Sequence, residues 1–339
     1  MPLKQAVHQH LRRLLLGDTD LPAACDIALE HPQHEIKVWL HGQNIPCDVT
    51  FRHSIVCASP FTFCIGFDPE DRPQLVEGSI ATLRFEEGSG SRHLLGEIDV
   101  RLKTILPVEE HTMALFEAVR ARNLCISRAH LAAHDLFYQY VAWKNRAKNE
   151  VKVSPLDSAC NAIGFICPRP VVLVSVRDED SGSIFPMNLF GNLGGDYFAF
   201  ALTRKKKAAP LVEQIGRLAL STVPFDHAST VRKLAGNHYI QSIDWAHLPF
   251  SLRASKKLGL PIPEFAIRVC ELQVCKAQPL GSHTFFLAKI LHTEINAIQP
   301  EFNMIHGHYA AYRAVATRRE AVRQTTSPQP VGQAGTTRT

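Results

Sequence analysis

Pro168-Arg169-Pro170-Val171-Val172-Leu173-Val174-Ser175-Val176 opens the stretch whose reading decides the fold. Residues 171–176 are a short apolar run rich in β-branched side chains, begun by Pro170 and closed by the polar residues 178–183. A buried helix would need a longer run, so the pattern predicts a buried strand. Asp180, Ser181 and Gly182 supply the turn that follows it. A second apolar segment covers 185–190, Gly191, Gly194 and Gly195 break it into a glycine-rich loop, and 197–202 resumes a strand.

Further along, Thr203-Arg204-Lys205-Lys206-Lys207 is a basic run, and Gly216-Arg217-Leu218-Ala219-Leu220-Ser221 reads as the next strand. Gly281-Ser282-His283 opens a strongly apolar strand, and His306-Gly307-His308-Tyr309 lies near the end. Together with the opening stretch, these segments resemble the flavin reductase-like domain, the FMN-binding split barrel. The resemblance covers roughly residues 153–313. It implies a six-stranded Greek-key split β-barrel with flanking helices, acting as a homodimer with flavin in a groove partly built by the second subunit. The activity it implies is reduction of FMN (or FAD) by NADH or NADPH. The reduced flavin would serve a partner oxygenase or a small substrate.

Upstream of residue 150 nothing contributes to that resemblance. Leu3, Val7, Leu11 and Leu14 recur at helical spacing, with Gly17 suited to end the helix. Beyond Pro32 the period changes to two: Ile36, Val38 and Leu40 alternate with Lys37 and Trp39, and Ile98, Val100 and Leu102 alternate with Asp99, Arg101 and Lys103. With 47–55, 61–67 and 79–85, about five strands are expected, as a small antiparallel sheet or partly closed barrel. Met113, Phe116 and Val119 suggest one helix face. Ser127 is a plausible N-cap for a second helix carrying Leu136, Phe137, Tyr140, Val141 and Trp143. The fold class is therefore mainly β with added helices, in two domains: 1–150, of unknown function but suited to docking or dimerisation, and 151–320, the barrel. Residues 144–152 read as a polar linker, 321–339 as a disordered tail, and no internal repeat is evident.

Composition narrows the class. The chain has 339 residues, 45% hydrophobic and 20% charged, as in an ordinary globular protein. No apolar run reaches the roughly 20 residues of a membrane helix, and the N-terminus does not read as a signal peptide. Nine scattered cysteines suit free thiols in a reducing cytoplasm. Cys160, Cys167, Cys270 and Cys275 read as core thiols rather than a metal site. A net charge of +5 is compatible with an anionic cofactor and does not argue for nucleic acid.

Flavin mononucleotide asks for cations and free N–H groups at its phosphate, an apolar wall for its ring, and donors at its N5/O4 edge. Four adjacent cations repel one another, and an anion beside them relieves that cost. The resemblance places Arg204, Lys206 and Lys207 at the phosphate, Lys206 foremost. Two polar pairs usual in the family are replaced by Lys207-Ala208 and Leu211-Val212. The resemblance also assigns Asn188 to the N5/O4 edge, Pro186, Met187 and Leu189 to the ring, and Gly191 and Asn192 to a close backbone approach. Ser221, His308 and Tyr309 are further flavin contacts, and His283 sits at the nicotinamide site. His306 and His308 lack a third ligand of matching spacing, so no metal is expected. Two other readings stay open: a non-reductase FMN- or haem-binding protein, and an interaction protein with a relic barrel.

Overall fold

A computed structural model describes residues 24–42, 46–69, 76–88, 93–144 and 153–326. The expected first helix, most of the 144–152 linker and the tail beyond 326 lie outside the described residues.

In the N-terminal half, β1 (Cys25–Leu29) stands apart, and seven strands build one antiparallel sheet. They are β2 (Ile36–His41), β3 (Cys47–Asp48), β4 (His53–Ala58), β5 (Phe61–Phe67), β6 (Ile80–Glu87), β7 (Leu94–Val108) and β8 (His111–Asn123), in the order β3-β2-β6-β7-β8-β5-β4. Alternation holds in β2, where Ile36, Val38 and Leu40 are buried and their neighbours half-exposed. It fails in β5, every residue of which is buried, because this strand has a hydrophobic core on each face. The helix expected over 113–119 is instead part of β8. Met113 and Phe116 are buried there, but Val119 is an extra residue at a bulge, and that slip produced the helical spacing.

Two helices link the halves. In α1 (Arg128–Lys144), Ser127 caps the start as expected, its Oγ accepting from His130 N at 3.4 Å. Phe137 is buried, whereas Leu136, Tyr140 and Trp143 are exposed. In α2 (Pro155–Gly164), Ser154 and Asp157 form a capping box. Asp157 also accepts from Phe61 N at 2.8 Å and from Ser59 Oγ at 3.0 Å, which ties the helix start to the β4–β5 turn. Its apolar face, Cys160 and Ile163, continues through Phe165 and Ile166 into the core of the N-terminal sheet. The chain thus crosses to the second half only after closing the first.

The C-terminal half begins at β9 (Arg169–Pro170). Its strands β10 (Val172–Arg177), β11 (Gly182–Met187), β12 (Phe190–Gly194) and β13 (Tyr197–Thr203) lead to α3 (Ala208–Ile215) and β14 (Arg217–Thr222). An insertion follows, with α4 (Ala228–Lys233), a 3-10 segment (Leu234–Tyr239), and the hairpin β15 (Leu252–Ala254) and β16 (Pro261–Pro263). Then come β17 (Arg268–Leu280), β18 (His283–Ile295), β19 (Glu301–Ile305) and α5 (Gly307–Thr326). β1 and β9 flank β19 in a small sheet. The main sheet has seven strands, not six, in the order β11-β10-β14-β17-β18-β13-β12. The expected glycine-rich loop is β12, an edge strand whose Phe190 pairs with Phe200.

The two main sheets are copies of one topology, which corrects the expectation of no repeat. Numbered within each half, the strands follow the order 2-1-5-6-7-4-3 in both. The copies share their irregularities too. Lys103 is skipped in the pairing five residues before β7 ends at Val108, and Cys275 is skipped five before β17 ends at Leu280. Val119 and Leu291 are skipped eight residues after the histidines that open β8 and β18. Each hairpin turns through a residue of positive φ, Glu109 at 50° and Gly281 at 51°. Side-chain identity has diverged between the halves, so a repeat of backbone register left nothing to find in the letters.

The halves meet through equivalent strands, β4 and β5 against β12 and β13, around a shared core. Val56, Cys64, Met113 and Leu115 from one half pack with Leu193, Tyr197, Ala199, Phe285 and Leu287 from the other. The backbones approach closely. A Cβ on Gly66 would lie 1.7 Å from Leu193 O, and one on Gly191 would lie 2.5 Å from His53 O.

Candidate functional site at the seam

At one end of the seam, β13 stops at Thr203 and the basic run turns into α3. Thr203 pairs with His283 across the ladder, so strand register brings these two side chains together. His283 Nε2 lies 3.4 Å from Thr203 Oγ1, and Nδ1 lies 2.8 Å from Ser282 Oγ. Ala58 N, from the other half, is 3.5 Å from Nδ1, and Cys57 Sγ is 3.9 Å away. A backbone N–H can only donate, so Nδ1 is the acceptor and the proton is assigned to Nε2. Burial, and then the charge of Lys206, pull the His283 pKa down to about 4. The imidazole is therefore neutral at pH 7, a hydrogen-bond donor rather than a proton carrier.

Lys206 is half-buried, with Nζ 5.0 Å from the Tyr239 ring centroid. Among the described residues no carboxylate pairs with it. Its field, after burial, also lowers His238, to about 4. Lys207, the N-cap of α3, makes no side-chain cap, which leaves the N–H groups of Ala208 and Ala209 uncapped next to Lys206 in the chain; Pro210, in the same turn, has none. Ala208 and Leu211, the apolar departures from the family pattern, are buried in the barrel core with Ala209 and Val212. This corner offers an anion two cations, Arg204 and Lys206, and a helix N-terminus.

The strap at 234–239 lies along the outer edge of β11. Asn237 Nδ2 donates to Ile184 O at 2.8 Å, and His238 Nε2 to Pro186 O at 2.7 Å. The His238 ring rests on Phe185 with centroids 4.6 Å apart. Pro186 thereby joins the corner through His238. Met187 is buried inside the barrel, Leu189 packs between two cores, and Asn188 turns its amide toward Met304 Sδ, 3.5 Å away.

The remaining residues anticipated from the sequence lie elsewhere. Gly191 and Asn192 line a cleft of about 480 Å³ between the halves, which includes neither Lys206 nor His283. Ser221 is fully buried, and its neighbour Thr222 lines that cleft. His308 contacts His306, His134 and Asn123, and Tyr309 donates to Glu35 at 3.2 Å. Among the described residues no three histidine, cysteine or acidic side chains are placed to hold a metal. None of the nine cysteines is in a disulfide. Cys57, His238 and Tyr239 escaped the sequence reading. No local pattern marks them, because strand pairing and the insertion bring them to the corner from far along the chain.

The family model of the flavin reductase like domain matches residues 165–313. Among solved structures, the FMN-binding protein of Thermus thermophilus is 23% identical, covering 38% of this chain and 73% of its own, with a TM-score of 0.34. The NADH:FAD oxidoreductase of Streptomyces globisporus C-1027 is 15% identical, covering 47% and 95%, with a TM-score of 0.40. The flavin reductase component of a bacterial two-component tryptophan halogenase is 16% identical, covering 44% and 92%, with a TM-score of 0.39. No curated protein matches the chain. No helix among the described residues is long and apolar enough to cross a membrane.

Proposed function

We propose that this chain is a flavin-dependent oxidoreductase that binds FMN at the seam and reduces it with NADH or NADPH. The observation that carries the reading is Lys206, a half-buried cation with no carboxylate partner among the described residues, beside an uncapped helix start. A phosphate there gains charge-assisted hydrogen bonds and the favourable end of the helix dipole. The flavin, when bound, supplies the redox chemistry, taking a hydride equivalent from the nicotinamide and passing electrons onward. The residues of the chain bind and orient. Lys206 and Arg204 hold the phosphate, and the neutral His283 presents its Nε2–H at the nicotinamide. Cys57, Ala58 and Ser59 of the first half lie against Ser282 and His283 and would form one wall of the groove, with a homodimer kept as part of the proposal. A cytoplasmic setting and delivery of reduced flavin to an oxygenase complete the proposal.

One observation favours a second reading, a flavin-binding protein without turnover. The strap already occupies the Ile184 and Pro186 carbonyls. Mixing FMN-loaded protein with NADH, then with NADPH, under anaerobic conditions separates the two. Loss of the flavin absorbance bands within seconds supports the reductase, and bands that persist with both nucleotides leave only the binder.

A further inference from the structure

The duplicated fold has two barrel mouths, and only one is plugged. Counting from the equivalent hairpins, Gly96, Ile98, Ala118 and Ala121 of the first barrel correspond to Arg268, Cys270, Ile290 and Thr293 of the second. In the first barrel α2 fills this mouth. A Cβ on Gly96 would lie 2.8 Å from Ile163 and 3.1 Å from Ile166. In the second barrel the corresponding residues line the 480 Å³ cleft, with Phe190 and Phe198 as an aromatic pair 5.6 Å apart and 19° from parallel.

Arg169 stands in the wall of this cleft at 5% exposure. Its guanidinium reaches Gly164 O at 3.4 Å and His53 Nε2 at 3.5 Å, and no carboxylate pairs with it among the described residues. His53 does not offset the charge. Its Nδ1–H donates to Val49 O at 2.7 Å, which leaves Nε2 as a neutral acceptor facing Arg169. The second arginine of the cleft, Arg268, is already paired with Glu301 at 2.8 Å, and Glu30 is exposed at the rim. A buried cation without a counter-charge costs stability that an anion would restore.

From this we infer that the open barrel mouth is a second ligand site, separate from the flavin corner, for a small organic oxyanion carrying an aromatic ring. The carboxylate or phosphate pairs with Arg169. The ring lies against Phe190, Phe198 and Ile290, and Thr222 and Thr293 supply polar contacts. The inference does not depend on flavin binding and is tested without flavin.

The test uses the full chain with benzoate, phenyl phosphate and neutral benzyl alcohol as probes, read by calorimetric titration and thermal unfolding. Both anions should bind and raise the unfolding midpoint, and benzyl alcohol should do neither. Arg169→Met should weaken both anions about ten- to a hundred-fold. It should also raise the unfolding midpoint of the unliganded protein, which loss of a merely structural arginine would not do. Thr293→Phe, which fills the mouth as Ile163 does in the other barrel, should block the anions with Arg169 intact, so the test survives if the Arg169 variant does not fold. Lys206→Ala should leave benzoate affinity unchanged. Equal binding of all three probes, no binding, or anion binding retained in both mouth variants overturns the inference. Loss of benzoate in Lys206→Ala also overturns it, by merging this site with the flavin corner.

Discussion

His111 and His283 occupy one position in two copies of the same hairpin, each opening the seventh strand of its sheet after a two-residue turn. Each faces the turn between the third and fourth strands of the other half. His283 accepts from Ala58, while a Cβ on Gly195 would lie 2.8 Å from His111 Nε2. The charged groups beside them differ. His111 Nδ1 is 3.3 Å from Asp68 Oδ1, whereas His283 lies in the field of Lys206. The pseudo-symmetric seam therefore has one corner suited to an anion and one already neutralised by its own carboxylate, which predicts one flavin per chain. A stoichiometry of two by calorimetric titration would contradict this.

His283→Ala tests the role given to the imidazole. FMN affinity should stay within a few fold, because the phosphate is held elsewhere, and single-turnover bleaching by NADH should slow. An unchanged rate would make His283 a structural residue.

The seam itself is tested at Gly66. Gly66→Ala places a methyl group 1.7 Å from Leu193 O if nothing moves, so β5 and β12 must separate. Overpacking of this kind costs about 1–3 kcal/mol. Denaturant unfolding should show that loss, and a change within about 0.5 kcal/mol would mean the halves do not touch there.

Buried imidazoles predict acid sensitivity. Burial holds His53 and His306 at about 3, and His238, His283 and His308 at about 4. The unfolded chain takes up protons below about 6.5 that the folded chain refuses. Stability is therefore full above pH 6.5 and falls as pH drops toward 4, by up to about 1.4 kcal/mol per pH unit for each group. His306→Gln should remove one such group, so between pH 7 and 5 the variant should lose about 2 kcal/mol less than the wild type. Parallel losses in urea titrations at the two pH values would refute the assignment.

The start of the second half was legible because its first strands are short and separated by turn residues. The run at 171–176 became β10, and the polar hairpin at 178–182 followed it, with Asp178 Oδ1 accepting from Ser181 N at 2.6 Å. The nearness of Lys206 to His283 has no local signal in the sequence, since 76 intervening positions separate them. Buried strands misled where both faces are covered. β5 and β8 lose their alternation because β12 and β13 lie behind them, and the bulge at Val119 imitates a helical step. Arg169 was overlooked because a cation between two prolines looks like surface, yet α2 and β4 bury it.

The central claim is that FMN is held at the seam through Lys206, and it is tested by titrating the quenching of flavin fluorescence in wild type and Lys206→Ala, with FMN and with riboflavin. One charge-assisted phosphate contact is worth roughly 1.5–3 kcal/mol, so Lys206→Ala should weaken FMN about ten- to a hundred-fold and leave riboflavin unchanged. Added salt should likewise weaken FMN more than riboflavin. Equal losses for the two flavins would show that Lys206 supports the fold instead, and failure of the wild type to bind either flavin would contradict the account.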